Sequence, residues 1–130
     1  MVIDTSALVA IMYNEDGAAR LVAAIEQSPV RLISAGTVIE AALVLLGRYG
    51  ERGEVQLDTL LRSIRAEIVA VDADQVALAR DAARSFGRGR HQASLNFGDC
   101  FSYALAVSRG EPLLFVGEDY RHTDVRPVVW

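Results

Sequence analysis

Four acidic side chains of this 130-residue chain lie within or directly after apolar segments. An ionised carboxylate is rarely buried unless it is paired or bound to a metal, and two carboxylates about 5 Å apart repel by about 3 kcal/mol at an effective dielectric of about 20. A group of four would therefore need a cation. Mg²⁺ prefers oxygen ligands, and such an ion supports phosphodiester hydrolysis. The candidates for this shared site are Asp4, Glu40, Asp99 and Asp119.

Each acid also has a structural interpretation that needs no metal. Asp4 follows an apolar segment and is a candidate helix N-cap. Glu40 interrupts an apolar run, where it could pair with an arginine of a neighbouring helix. Asp99 opens a predicted helix, whose dipole favours an acid in the first turn. Asp119 lies in a Gly-Glu-Asp-Tyr turn. Taken singly, none of the four acids decides between these interpretations and a metal site.

Short apolar strands alternate with helices along the chain, and these elements must position the acids. Strands are predicted at Val2–Asp4, Val30–Ser34, Glu67–Val71 and Leu113–Val116, with a possible fifth at Pro127–Val129. Thr5 or Ser6 is the predicted cap of the first helix. Helical spacing of apolar residues predicts helices at Ser6–Met12, Asp16–Gln27, Ala35–Tyr49, Val55–Arg65, Ala73–Phe86 and Asp99–Ser108.

This alternation predicts a parallel sheet covered on both faces by helices. Ligands of such sheets bind beyond the carboxyl ends of the strands. Asp4 and Asp119 fall at the carboxyl ends of two predicted strands, and Asp99 begins a helix. We therefore expect these acids to lie at one edge of the sheet.

The composition predicts one domain spanning residues 1–130, since 52% of the residues are hydrophobic and can form a core. No apolar stretch reaches the roughly 18–20 residues of a membrane helix, and no signal peptide is recognised, so a cytoplasmic location is expected. The net charge of −4 disfavours simple nucleic-acid binding but not a metal-dependent nuclease. The single cysteine, Cys100, is expected to be a small buried hydrophobe rather than a reactive thiol.

Three segments carry a family resemblance that covers essentially the whole chain: Val2–Leu8, Leu95–Ala106, and Pro112–Tyr120 with Thr123–Val125. Their order and spacing resemble those of a PIN domain, specifically a VapC-type toxin ribonuclease. The resemblance implies an α/β fold, a PIN-like three-layer α/β/α sandwich with a central, mostly parallel sheet of four or five strands. It also implies a Mg²⁺-dependent endoribonuclease, with Mn²⁺ as a possible replacement.

The resemblance further assigns roles and partners. Asp4 and Asp99 would bind the metal directly, Glu40 would bind it through water or position the nucleophile, and Asp119 would complete the cluster. Thr5 or Ser6 is a candidate for an assisting hydroxyl. A cognate VapB-type antitoxin would hold the enzyme inactive, and a homodimer and a toxin–antitoxin hetero-oligomer are expected. An inactive PIN-like domain that serves only protein interaction is the alternative.

Other phosphate chemistries fit the sequence less well. A haloacid-dehalogenase phosphatase needs a second acid two residues after the first, where this chain has Ser6. A receiver domain and a P-loop enzyme both need a lysine, and the chain contains none. Basic residues near the acids are either RNA-phosphate contacts or solvated surface: Arg84, Arg88, Arg90, His91, Arg121 and His122.

Overall fold

The computed structural model describes residues 1–130 and is built on a parallel sheet of four strands. The strands are β1 (Val2–Ile3), β2 (Leu32–Ser34), β3 (Glu67–Val69) and β4 (Leu113–Leu114). They lie in the order β3-β2-β1-β4, with Val2 opposite both Leu32 and Leu113. The possible fifth strand is reduced to a single bridge between Leu113 and Pro127. Proline has no N–H to donate to a strand pair, which limits pairing there.

Six α-helices connect and cover these strands, and most of them match the predicted positions. They are α1 (Thr5–Met12), α2 (Ala18–Gln27), α3 (Ala35–Tyr49), α4 (Glu51–Ser63), α5 (Ala73–Phe86) and α6 (Asp99–Arg109), and a short 3-10 helix spans Asp119–His122.

The fourth helix begins one turn earlier than its apolar spacing predicts. Gly50 adopts φ 64° and ψ −157°, a conformation that lets the chain reverse abruptly between α3 and α4. Glu51 and Glu54 then occupy the first turn, where the helix dipole favours acids. The helical hairpin α3–α4 is consequently longer and tighter than predicted.

Two hydrophobic cores lie on opposite faces of the sheet. Successive strand residues point to opposite faces, so Ile3, Ile33 and Leu114 pack with α1–α4, while Leu32 and Leu113 pack with α5 and α6. This arrangement confirms the predicted three-layer α/β/α sandwich. None of its helices has both the length and the apolarity that crossing a membrane requires.

Candidate active site

Asp4 links the end of β1 to the start of α1 at the carboxyl edge of the sheet. Its carboxylate caps α1 by accepting hydrogen bonds at Oδ2 from the Ser6 backbone N–H (2.9 Å) and from Ser6 Oγ (2.6 Å). Ser6 Oγ in turn accepts from the N–H of Val116, just beyond β4 (3.0 Å). Of the caps considered from the sequence, Thr5 and Ser6 are therefore wrong and Asp4 is confirmed. The cap is Asp4, because its extended backbone places its side chain over the first turn, whereas both hydroxyl residues lie inside the helix.

Asp99 opens α6 beside Asp4 and is fixed by the loop that precedes it. The backbone N–H of Asn96 donates to Asp99 Oδ2 (2.7 Å), and the N–H of Asp99 donates to Asn96 Oδ1 (3.0 Å). Asp4 and Asp99 are only 2% and 9% exposed. Two carboxylates are thus buried at one edge of the sheet with no ion pair to either of them.

Tyr120 joins these two acids, a role that was not predicted from the sequence. Its buried hydroxyl donates to Asp4 Oδ1 (2.8 Å) and lies within hydrogen-bond distance of the Asp99 carbonyl oxygen (3.1 Å). Burial, followed by the charges of Asp4 and Asp99, raises the pKa of Tyr120 well above its usual value. The hydroxyl therefore keeps its proton and acts as a donor. A buried tyrosine needs a partner for its hydroxyl, and this was the signal available in the sequence.

Glu40 reaches the same site from α3, although no arginine pairs with it. Thr5 Oγ1 donates to Glu40 Oε2 (2.5 Å). On its other side, the carboxylate lies against the backbone of Gly98, where an added Cβ would stand 1.8 Å from Glu40 Oε1. The absence of a side chain at Gly98 therefore leaves the space that Glu40 occupies beside the start of α6.

Asp119 is the exposed member of the group, at the start of the 3-10 helix. Its neighbour Glu118 turns toward Arg121, with 3.3 Å between Glu118 Oε2 and Arg121 Nε. Asp124 accepts a hydrogen bond from the Tyr103 hydroxyl (2.7 Å) and so stabilises the terminal turn. Among these three acids, only Asp119 acts electrostatically on Asp99.

The pKa of Asp99 responds to the other three acids. Burial raises this pKa from 3.8 to about 6, the Asn96 backbone hydrogen bond opposes the rise, and the charges of Asp4, Asp119 and Glu40 each add to it. Each of the three other acids that the sequence singled out therefore acts on Asp99 through its charge.

The donor set at this site suits a hard cation. No three acidic, histidine or cysteine side chains converge closely enough to hold one ion between them. However, two buried carboxylates supply oxygen ligands, and Mg²⁺ commonly takes one or two carboxylates while it keeps several waters. A softer metal would prefer nitrogen or sulfur donors. The only thiol nearby, Cys100, is buried, and burial together with the charge of Asp99 raises its pKa, so its reactive thiolate form is disfavoured.

Most basic residues named from the sequence lie away from this cluster or are engaged elsewhere. Arg84 pairs with Asp81, and Arg121 pairs with Glu118. The Nδ1 atom of His91 accepts from the N–H of Ala93 (3.1 Å). Arg88 instead lines a cleft between α5 and α6.

A three-layer sandwich with acids gathered at the carboxyl edge of its sheet is the architecture of a PIN domain, and the model of that family matches residues 1–126. Ribonuclease VapC30 from Mycobacterium tuberculosis is 52% identical to the chain over 128 residues, which cover 98% of each sequence. The chain therefore belongs to the VapC family of PIN domains.

Solved structures share the fold at lower identity. The crystal structure of VapC20 from Mycobacterium tuberculosis, described as a toxin that cleaves the sarcin-ricin loop, aligns with a TM-score of 0.79 and 21% identity over 98% of this chain and 97% of that one. A toxin–antitoxin complex from Klebsiella pneumoniae aligns with a TM-score of 0.71 and 18% identity over 95% and 92%. At these identities the two alignments show the fold alone.

Proposed function

We propose that the chain is the toxin of a toxin–antitoxin pair, a Mg²⁺-dependent endoribonuclease that cleaves RNA phosphodiester bonds at the four-acid site. The observation that carries this proposal is the burial of Asp4 and Asp99 at one edge of the sheet, joined by the Tyr120 hydroxyl and without an ion pair. The charges of Asp4, Asp119 and Glu40 add to the effect of burial in raising the pKa of Asp99. Such mutual repulsion destabilises a small domain unless a cation offsets it. The names of the relatives, which are ribonucleases, support RNA as the substrate.

Each of the four acids would have its own role in hydrolysis. Asp4 and Asp99 would hold the ion, and Mn²⁺ would suit the same oxygen donors. When bound, the cation polarises the phosphodiester and makes water a stronger nucleophile. Glu40, with Oε2 held by Thr5, has Oε1 free to orient water and accept its proton. Asp119, exposed at the mouth of the site, completes the negative charge.

Other side chains hold these acids in place. Both oxygens of Asp4 are occupied, Oδ2 by Ser6 and Oδ1 by Tyr120, so its carboxylate cannot rotate freely. Hydrogen bonds of this kind orient metal ligands and raise metal affinity. Because all four acids are present, the structure favours an active nuclease over the alternative of an inactive PIN-like interaction module.

The nuclease proposal predicts metal-dependent cleavage by the purified chain. We expect total RNA to be cut in Mg²⁺ buffer and to stay intact in EDTA, with activity restored when excess Mg²⁺ is added back. Gel separation of the products measures the result, and Ca²⁺ in place of Mg²⁺ tests the demand for a small ion. Identical RNA patterns in Mg²⁺ and EDTA would contradict the proposal.

A surface on the α3–α4 hairpin supports the antitoxin part of the proposal. The buried side of the hairpin packs into the core through Ala41, Leu45, Leu57 and Leu61, but its outer side is strongly apolar. Ile39 and Leu43 are 62% and 63% exposed, and Val44, Leu46 and Val55 add to the patch. Exposed apolar patches mark interaction sites, and an amphipathic helix can cover such a groove. A VapB-type antitoxin would bind at this surface. A homodimer would form through the same surface or through another.

Placing one charge in this patch should weaken antitoxin binding. We expect Leu43→Glu to lower the yield of complex when the chain is co-expressed with a VapB-type antitoxin, because a buried unpaired carboxylate costs several kcal/mol. Ile68→Glu, at an exposed apolar position on β3, is the matched control. If the two variants co-purify with equal amounts of antitoxin, the antitoxin does not bind at this patch. Light scattering would reveal any change in the homodimer.

A further inference from the structure

We propose that the cleft between α5 and α6 binds an unpaired nucleobase of the RNA, next to the phosphodiester that is cleaved. This inference rests on the proposed function and names a substrate feature that the acid cluster alone does not specify. The cleft has a volume of about 580 Å³, within the range of about 300–1,000 Å³ typical of small-ligand pockets. It therefore has room for a nucleoside-sized group.

The lining of the cleft has the chemistry of a base-binding pocket. Val76, Ala79 and Leu95 are among the apolar residues that form its walls, and Phe97 and Phe101 close one side. Unpaired bases of RNA are recognised by stacking on aromatic side chains and by hydrogen bonds to their edges. Asn96 is the uncharged polar residue of the lining, so a polar residue is present among these apolar walls.

Phe97 is the residue on which a base would stack. Its side chain is 82% exposed, an unusual position for a phenylalanine. The Phe101 ring meets it edge to face, with centroids 5.0 Å apart and an interplanar angle of 87°. This contact orients the Phe97 ring while leaving most of its surface open to a ligand.

The charges around the cleft favour RNA over a protein partner. Its only charged lining residues are Arg80 and Arg88, and no acid lines it. The neighbouring apolar pocket beyond Phe97, about 320 Å³ in volume, has Glu40 as its only charged residue. Guanidinium groups at the rim of a base pocket can contact the phosphates on either side of the bound nucleotide.

Two lining residues of the cleft, Asn96 and Cys100, flank the acid site at the start of α6. Asn96 lines the cleft and exchanges two hydrogen bonds with Asp99, and Cys100, the next residue, also lines the cleft. A base bound there would place its own phosphates beside the acid cluster. This proximity to Asp99, together with the two arginines of the lining, is the basis for assigning the cleft to the substrate.

The test measures RNA binding without cleavage. A short labelled single-stranded RNA of randomised sequence is titrated with the full chain in EDTA, and fluorescence anisotropy gives the affinity. Stacking on an aromatic side chain is worth about 1–3 kcal/mol per base, so Phe97→Ala and Phe97→Leu should each weaken binding by about 5- to 150-fold. Phe97→Trp should retain the wild-type affinity, and Arg88→Gln should weaken binding and reduce its salt dependence. Ile68→Ala, an exposed apolar control on β3, should change nothing.

Wild-type affinity in Phe97→Leu would overturn the proposal, because leucine keeps the apolar surface and removes only the aromatic face. A loss of affinity that follows dissociation of a dimer in light scattering would also overturn it and would assign Phe97 to a contact between copies. The two proposals can fail separately. If the chain does not cleave RNA in Mg²⁺ but binds it in EDTA in a way that depends on the aromatic ring of Phe97, the nuclease proposal is wrong and the base-pocket proposal holds. If substitutions of Phe97 leave cleavage unchanged, the nuclease proposal holds and the base-pocket proposal is wrong.

Discussion

Replacing Asp99 with Asn should lower the rate of RNA cleavage by about 10³-fold, because a bound metal supplies several kcal/mol of transition-state stabilisation and each 1.36 kcal/mol is a factor of ten. The substitution removes one of two buried carboxylates while it keeps the shape of the side chain. It also keeps an oxygen that can accept from the N–H of Asn96. The measurement is a single-turnover cleavage assay in Mg²⁺, with metal binding followed separately by calorimetry.

The matched control for this prediction is Asp58→Asn, which makes the same chemical change at an exposed position of α4. We expect wild-type cleavage from that variant. If Asp99→Asn still cuts RNA at a rate close to that of the wild type, the assignment of Asp99 as a metal ligand is wrong.

The metal-free protein should lose stability as the pH rises from about 4 to about 7. In the folded chain the pKa of Asp99 is about 6 and its ordinary value is 3.8, so between these values the folded state binds more protons than the unfolded state. The free energy of unfolding therefore falls with rising pH, by at most about 3 kcal/mol for a shift of about two units. Denaturant unfolding in EDTA at a series of pH values measures this change.

The same substitution tests the cause of that loss. Asp99→Asn carries no charge to bury, so in EDTA at neutral pH it should be more stable than the wild type and should show a flatter dependence on pH. Added Mg²⁺ should stabilise the wild type and leave the variant nearly unchanged. A variant with the pH profile of the wild type would show that Asp99 is not the group responsible.

The two predictions give Asp99 opposite effects on activity and on stability: it supports cleavage and destabilises the metal-free fold. Burial first, and then the charges of Asp4, Asp119 and Glu40, raise the pKa of Asp99 in the folded chain. A residue that improves cleavage while it weakens the metal-free fold is expected at a functional site. We therefore expect activity and metal-free stability to change in opposite directions at this position.

The sequence determined the layout of this protein because its patterns are local. Alternating short apolar runs and helical spacing predicted the three-layer sandwich, and five of the six helices both begin and end within about two residues of their predicted limits. The four acids could be identified from the sequence because a carboxylate in an apolar segment is unusual and is apparent from its immediate neighbours alone. The motifs that carry the family resemblance are also short stretches of sequence, so they too are local. The early start of α4 was missed, since the conformation of Gly50 reverses the chain before the apolar spacing begins.

The tertiary structure alone decided how the acids are held. Tyr120 binds Asp4 across 116 residues of sequence, and Glu40 finds its place against Gly98 and Thr5. The same holds for the apolar patch on α3–α4 and for Phe97 beside the α5–α6 cleft, since helical spacing does not say which apolar residues stay exposed. These contacts depend on how whole elements pack, and packing joins residues that no local pattern relates.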